Sequence, residues 1–302
     1  MTSSPSRFKA YYMVTARCNL KCDYCVLENS REQLVQELPL AEKKALIRHL
    51  YDAMGFRQLT VSGGEALLIG RSPPADFVEL IEFIAGLPEM RVHLYTNGIF
   101  LDDRVADAIE GVVDEVSITV DSFDDRVLRR LGRKAPGQSY RDAAAQLGGR
   151  LTARGICVKL HSVVGQVNVN SLPYECATIA HSFEREGGCV SSWKFYQYMS
   201  YDHARKDSAH AIDDSSFSRC ISNISTQLLS LGIPLHFKST QEMNESLFNI
   251  LPYGNAQYMR PNDTWKTSRR TRDLRSYASL EELFSQHDIN EALFRRYHEL
   301  RA

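Results

Sequence analysis

Apolar positions along the chain alternate between two spacings. Short runs rich in β-branched and aromatic residues, at 11–15, 58–62, 91–95, 115–120, 157–164 and 193–198, predict strands. Longer amphipathic segments lie between them. Residues 40–55 read as a helix, with Leu40, Lys43, Lys44, Ile47, Leu50 and Tyr51 recurring near i, i+3 and i+4 and Gly55 at its end. Segments 76–87 (stopped by Pro88), 101–109, 140–154 and 172–186 are helical by the same pattern. Six strand–helix repeats with short connections argue for an α/β fold, a parallel sheet with helices outside. Eight such repeats close a barrel, so six predict a partial (βα)6 TIM-type barrel.

The pattern changes after residue 200. Segment 203–216 is polar, 217–231 a helix, 235–238 one more strand, 255–276 polar and irregular, and 280–300 two short helices. The expected division is a disordered tail over 1–7, the partial barrel over 8–200, and a C-terminal extension over 201–302 closing over the active site. No internal repeat suggests a solenoid.

Composition narrows the class. Apolar residues make up 43% of 302 residues, enough for a sizeable core. The 36 Lys+Arg and 37 Asp+Glu nearly cancel, which excludes a nucleic-acid reader driven by a basic chain. No apolar run approaches the ~18 residues of a membrane span, and the first residues are polar. The expectation is a soluble, cytoplasmic protein with no membrane association.

Three of the seven cysteines, Cys18, Cys22 and Cys25, fall within eight residues directly after the first strand. Three thiolates from one loop suit three irons of a cubane and leave the fourth iron without a protein ligand. Zinc is the alternative. It asks for a fourth ligand, the nearest histidine is His49 inside the first helix, and no second C-x2–4-C arm exists. Cys157, Cys176, Cys189 and Cys220 are scattered and read as buried small side chains, which argues against an auxiliary cluster. After the second strand come Gly63, Gly64 and Glu65. The glycines let backbone approach a ligand closely, and the carboxylate can accept from an ammonium.

The C-x-x-x-C-x-x-C spacing, with Tyr24 before the last cysteine, resembles the radical S-adenosylmethionine (SAM) superfamily. The resemblance implies a [4Fe–4S] cluster on Cys18, Cys22 and Cys25 whose open iron chelates SAM. One electron, from a donor such as flavodoxin or ferredoxin, then cleaves the sulfonium and releases a 5′-deoxyadenosyl radical. Gly63, Gly64 and Glu65 match the contact to the methionyl amine. Asn97 matches the ribose contact, Tyr24 the aromatic position, and Thr119 and Arg133 suit the methionyl carboxylate. A bare iron–sulfur or zinc protein without catalysis would need none of these.

Later segments are similar to the viperin-like subfamily. They are Asp121-Ser122-Phe123-Asp124 with Leu131-Gly132-Arg133 downstream, Val158-Lys159-Leu160-His161-Ser162-Val163-Val164, Asn168-Val169-Asn170 and Trp193-Lys194-Phe195-Tyr196-Gln197. The resemblance implies abstraction of the 4′ hydrogen of a nucleotide and loss of its 3′ hydroxyl, giving a 3′-deoxy-3′,4′-didehydronucleotide. Lys159, His161 and Lys194 would face the substrate, the lysines on its phosphates. Tyr253, ahead of Tyr258, fits the radical-reducing tyrosine of the extension. Tyr11, His161 and Ser192 depart from the subfamily pattern. They leave open a dehydratase, epimerase or dehydrogenase acting on a nucleoside, nucleoside monophosphate or sugar.

Overall fold

The computed structural model describes residues 7–27, 36–133, 140–260 and 263–300. In chain order the strands and longer helices are β1 (Phe8–Thr15), α1 (Leu40–Asp52), β2 (Phe56–Gly63), α2 (Ala75–Ala85), β3 (Arg91–Thr96), α3 (Asp103–Ile109), β4 (Glu115–Thr119), α4 (Asp125–Arg130), α5 (Tyr140–Ala153), β5 (Cys157–Val164), α6 (Leu172–Arg185), β6 (Val190–Gln197), α7 (Ala204–His210), α8 (Asp214–Leu228), β7 (Leu235–Lys238), α9 (Thr240–Glu245), β8 (Phe248–Ile250), β9 (Asn255–Tyr258), β10 (Arg269–Asp273), α10 (Leu280–Gln286) and α11 (Glu291–His298). The chain forms two compact units. One comprises 1–18, 30–95 and 244–302, the other 19–29 and 96–243.

In the first unit β1, β2 and β3 pair in parallel, and β8 adds to the far side of β1, also in parallel. β9 and β10 then continue antiparallel. The first helix forms where its periodicity predicts: Lys43, Leu46, Ile47 and Leu50, at i, i+3, i+4 and i+7, are its buried residues. Phe8, Phe56, Phe248 and Phe294 interlock at the base of the sheet, with ring centroids 5.0–6.2 Å apart.

In the second unit β4, β5, β6 and β7 are all parallel. Helix α5 packs on α6, and α6 on α8. One sheet face is apolar. Leu160 and Trp193 lie in register, as do Phe195 and Phe237, and the rings of Trp193, Phe195 and Phe237 stack at 5.0 and 5.7 Å. Trp193 is fully buried, and its Nε1 donates to Ser162 Oγ at 2.9 Å, so the indole leaves no polar atom unpaired.

The α/β class and the partial-barrel expectation both hold. Two stretches that read only as polar, the second also as irregular, carry regular elements. Segment 203–216 contains α7, started by His203, whose ring nitrogen accepts from the Lys206 amide. Segment 255–276 contains β9 and β10. Few of its residues are apolar, and its strands are set by backbone pairing, β9 to β8 and β10 to β9, with Thr271 Oγ1 accepting from the Ala256 amide at 2.9 Å. Pairing of this kind leaves no periodic trace in the sequence. Among the described residues no helix is long and apolar enough to cross a membrane.

Candidate cofactor site

The first unit supplies the approach to the cysteine loop. β1 ends at Thr15, and the chain continues through Ala16 and Arg17 to Cys18. The Gly64 amide donates to Thr15 O at 2.9 Å and the Glu65 amide to Arg17 O at 2.8 Å, so the loop after β2 is laced to the residues before Cys18. A Cβ on Gly64 would lie 2.4 Å from Arg17 O and 2.8 Å from Ala16 O, so only glycine fits. Glu65 is buried, and one carboxylate oxygen caps the short turn over Ala66–Leu68.

Glu37 stands in no motif of the sequence. Its carboxylate accepts from Thr15 Oγ1 at 2.6 Å, Arg17 Nη2 at 3.1 Å and the Gly70 amide at 3.0 Å, and pairs with the buried Lys43 Nζ at 3.1 Å. Burial pushes the Glu37 carboxyl up, but the hydrogen bonds from Thr15 and Gly70 and the Lys43 ammonium outweigh it and hold it below the usual range. Tyr253 sits in the tight turn from β8 to β9, where Gly254 takes φ +92°. β8 runs parallel to β1 with Ile250 opposite Tyr12, so this turn lies at the end of the sheet where β1 delivers Cys18. Tyr258 is buried on β9, its hydroxyl donating to Asp288 at 3.0 Å. His49 Nε2 is engaged with the Tyr277 carbonyl at 2.9 Å.

The second unit holds the rest of the loop. The Cys25 amide donates to Cys22 O, and the Asp23 amide to Leu131 O, both at 3.0 Å. Gly132 has φ +68°, and a Cβ there would stand 2.2 Å from Lys21 O. The Tyr24 hydroxyl donates to Asp121 Oδ2 at 2.5 Å and accepts from Arg133 Nη1 at 2.9 Å. Arg133 is 3% exposed. Its Nε lies 3.3 Å from Asp121 Oδ2, and its Nη2 donates to Thr119 O at 3.0 Å and Tyr140 OH at 2.8 Å. Asp121 is fully buried and accepts from the Val163 amide at 2.8 Å. Burial pushes the Tyr24 phenol well above its ordinary value, so it stays protonated and able to donate. Asn97 Nδ2 donates to Asn19 Oδ1 at 2.8 Å. A carboxylate ligand at Arg133 would have to take over one of these internal contacts.

The other face of the second unit's sheet is polar. Strand register puts Ser117, Lys159 and Ser192 in one row and Thr119, His161, Lys194 and His236 in the next. Lys159 Nζ lies 3.7 Å from Glu115, Lys194 Nζ lies 5.0 Å from the Tyr196 ring centroid, and the His161 ring meets Tyr196 edge-on at 5.3 Å. Burial first, then the two ammonium groups, holds His161 well below its ordinary pKa. The same causes lower His236, which the sequence reading passed over. Ser117 is 1% exposed, and its Oγ has no hydrogen-bond partner.

No disulfide engages Cys18, Cys22 or Cys25, and all three are half-buried. Among the described residues no three His, Cys, Asp or Glu side chains converge on a single metal ion. A cubane asks for a different donor set, one thiolate per iron, and three thiols spaced along one tightly hydrogen-bonded loop fit that demand. Of the remaining cysteines, Cys176 and Cys220 are buried as expected. Cys157 and Cys189 are exposed, because they lie where β5 and β6 begin, beyond the cover of the helices.

A family model for the radical SAM superfamily matches residues 12–163. A probable GTP 3′,8-cyclase of Methanopyrus kandleri is 35% identical over 162 residues, 53% of this chain and 48% of that protein. A GTP 3′,8-cyclase of Corynebacterium glutamicum is 38% identical over 121 residues, 37% of this chain and 30% of that protein. The chain thus spans about half or less of the length of these relatives. Among solved structures, native anSMEcpe with bound AdoMet and Cp18Cys peptide aligns with a TM-score of 0.65 at 14% identity, over 95% of this chain and 83% of that one. Streptococcus suis SuiB bound to S-adenosylmethionine aligns at 0.61 and 13%, over 82% and 59%. These likenesses establish the fold, and with the family match over half of its residues the chain belongs to the radical SAM superfamily, whose cofactors are a [4Fe–4S] cluster and S-adenosylmethionine.

Proposed function

We propose that the chain uses this chemistry on a nucleotide, abstracting hydrogen from the ribose, with the viperin-like loss of the 3′ hydroxyl as the first reading. Cluster and SAM together supply an electron and a hydrogen-abstracting carbon radical. Cys18, Cys22 and Cys25 hold the cluster. Gly63, Gly64 and Glu65 receive the methionyl amine, Asn97 the ribose, and Thr119 the carboxylate end, while Arg133 fixes Tyr24 from behind.

The observation that carries the nucleotide reading is the polar sheet face of the second unit. It sets Lys159 in register beside Ser117, a buried hydroxyl with no partner, and Lys194 between His161 and His236 in the next row. Glu115 stands 3.7 Å from Lys159. An ammonium pair with an unsatisfied donor beside it suits phosphate oxygens.

A second reading rests on the relatives named GTP 3′,8-cyclase, namely closure of a bond between ribose and base. Anaerobic reconstitution, reduction, and incubation with SAM and a panel of nucleosides, monophosphates and triphosphates separates the two. The dehydrated product is one water lighter than its substrate, whereas an intramolecular ring closure keeps the substrate's mass. No 5′-deoxyadenosine above background with any nucleotide would overturn both readings.

Lys159→Ala should raise KM for a phosphate-bearing nucleotide about tenfold to a hundredfold, the 1.5–3 kcal/mol of a charged hydrogen bond. A nucleoside should be unaffected, and equal losses for both would remove Lys159 from the phosphate. Tyr253→Phe should leave 5′-deoxyadenosine formation intact and stall the nucleotide product. Unchanged product would shift the reducing role to Tyr258 or away from the hairpin.

A further inference from the structure

One charged side chain near the cysteine loop has no use in the scheme above. Lys206 lies on α7, is 2% exposed, and its Nζ has no hydrogen-bond partner. An ammonium withdrawn from water without a partner is unfavourable unless a counter-charge stands near. Lys206 and His210 stand four residues apart on one face of α7, and His210 and the neighbouring Arg205 both reach Asp23 of the cysteine turn. Asp23, between Cys22 and Cys25, feels the Lys206 charge. Its carboxylate is already engaged by His210 Nε2 at 3.0 Å and Arg205 Nη2 at 3.3 Å. The His210 ring also meets Tyr24 edge-on at 6.3 Å. Helix α7 therefore sets Arg205, Lys206 and His210 against a turn that carries one carboxylate and two of the three thiols. Asp23 is shared among these groups, which leaves the Lys206 ammonium over.

We infer that Lys206 is the counter-charge of the cluster, a positioning residue whose fixed ammonium offsets the negative charge added when the cluster is reduced. In that step one electron enters the cluster from the external donor, and no bond or proton at Lys206 changes. The potential of an iron–sulfur centre follows the net charge and hydrogen bonding around its sulfurs. A buried positive charge beside the loop raises it, and a low local dielectric leaves that charge poorly screened. This rests on Cys18, Cys22 and Cys25 being the ligands.

The test is a redox titration of the reconstituted full chain, followed by the electron paramagnetic resonance of the reduced cluster, with iron content measured alongside. Lys206→Met should load iron like the parent. Its reduced fraction at fixed poise should fall about tenfold, a shift of about 59 mV for a one-electron couple. Lys206→Arg, which keeps the charge, should restore the parent midpoint. Arg205→Gln should give a smaller shift of the same sign, since that side chain is 75% exposed and screened by water. A parent midpoint in fully loaded Lys206→Met would overturn the inference. So would loss of iron in Lys206→Met with a parent midpoint in Arg205→Gln, which would leave Lys206 a packing residue. A parent chain that binds no iron would instead fault the cysteine assignment.

Discussion

Replacing any one of Cys18, Cys22 or Cys25 by alanine is expected to abolish the broad absorbance near ~400 nm of the reconstituted protein and all SAM cleavage. The three thiols are not interchangeable supports of a flexible loop. The Gly64 and Glu65 amides fix the chain just before Cys18, and the amide of Cys25 closes on Cys22 O. No other cysteine is placed to substitute. Cys176 and Cys220 are buried on helices, and Cys157 and Cys189 lie at the start of β5 and just before β6. On the proposed assignment each thiolate would be the sole protein ligand of one iron, so partial activity is not the expected outcome. Absorbance and iron content are read after anaerobic reconstitution. A single variant that keeps both the chromophore and 5′-deoxyadenosine release would remove that cysteine from the ligand set.

What the sequence showed and what it hid divide along one physical line. Contacts between near neighbours leave periodic traces. The buried face of α1 and the strands of the parallel sheet could be read from spacing and residue type, whereas the glycines after β2 read as room for a ligand and Gly64 instead meets Ala16 O and Arg17 O, far back along the chain. The groups that hold the site in place come from far along the chain. Asp121 looks like a turn residue, yet its carboxylate receives the hydroxyl of Tyr24, 97 residues away. His210 sits in a polar stretch and reaches Asp23 across 187 residues. Glu37 precedes a helix with no motif around it, and ties Thr15, Arg17 and Gly70 together. The sequence marks Arg133 as a candidate for the methionyl carboxylate. That its guanidinium is occupied by Asp121, Tyr24, Tyr140 and a backbone carbonyl is not legible there, because the partners share no spacing with it.

That occupation makes the pair of Asp121 and Arg133 the second large expected effect. Both side chains are withdrawn from water, at 0% and 4% exposure, and the Nε–Oδ2 separation is 3.3 Å. Arg133→Met strands a buried carboxylate, and breaking a buried pair in this way costs about 3–5 kcal/mol. Asp121→Asn strands the guanidinium instead, and also weakens the acceptor for Tyr24. Removing both charges together leaves neither group uncompensated, so the double variant should lose clearly less than the sum of the two single losses. The urea midpoint of each variant, with the slope checked for change, measures this. Strictly additive losses would mean that the two charges do not stabilise one another. The consequence also reaches the site. Tyr24 precedes Cys25, and its hydroxyl is held only by this pair among the contacts described. Iron content should therefore fall with stability in both single variants and recover in part in the double one, because what the cluster loop needs from Asp121 and Arg133 is a neutral, fully hydrogen-bonded wall rather than either charge alone.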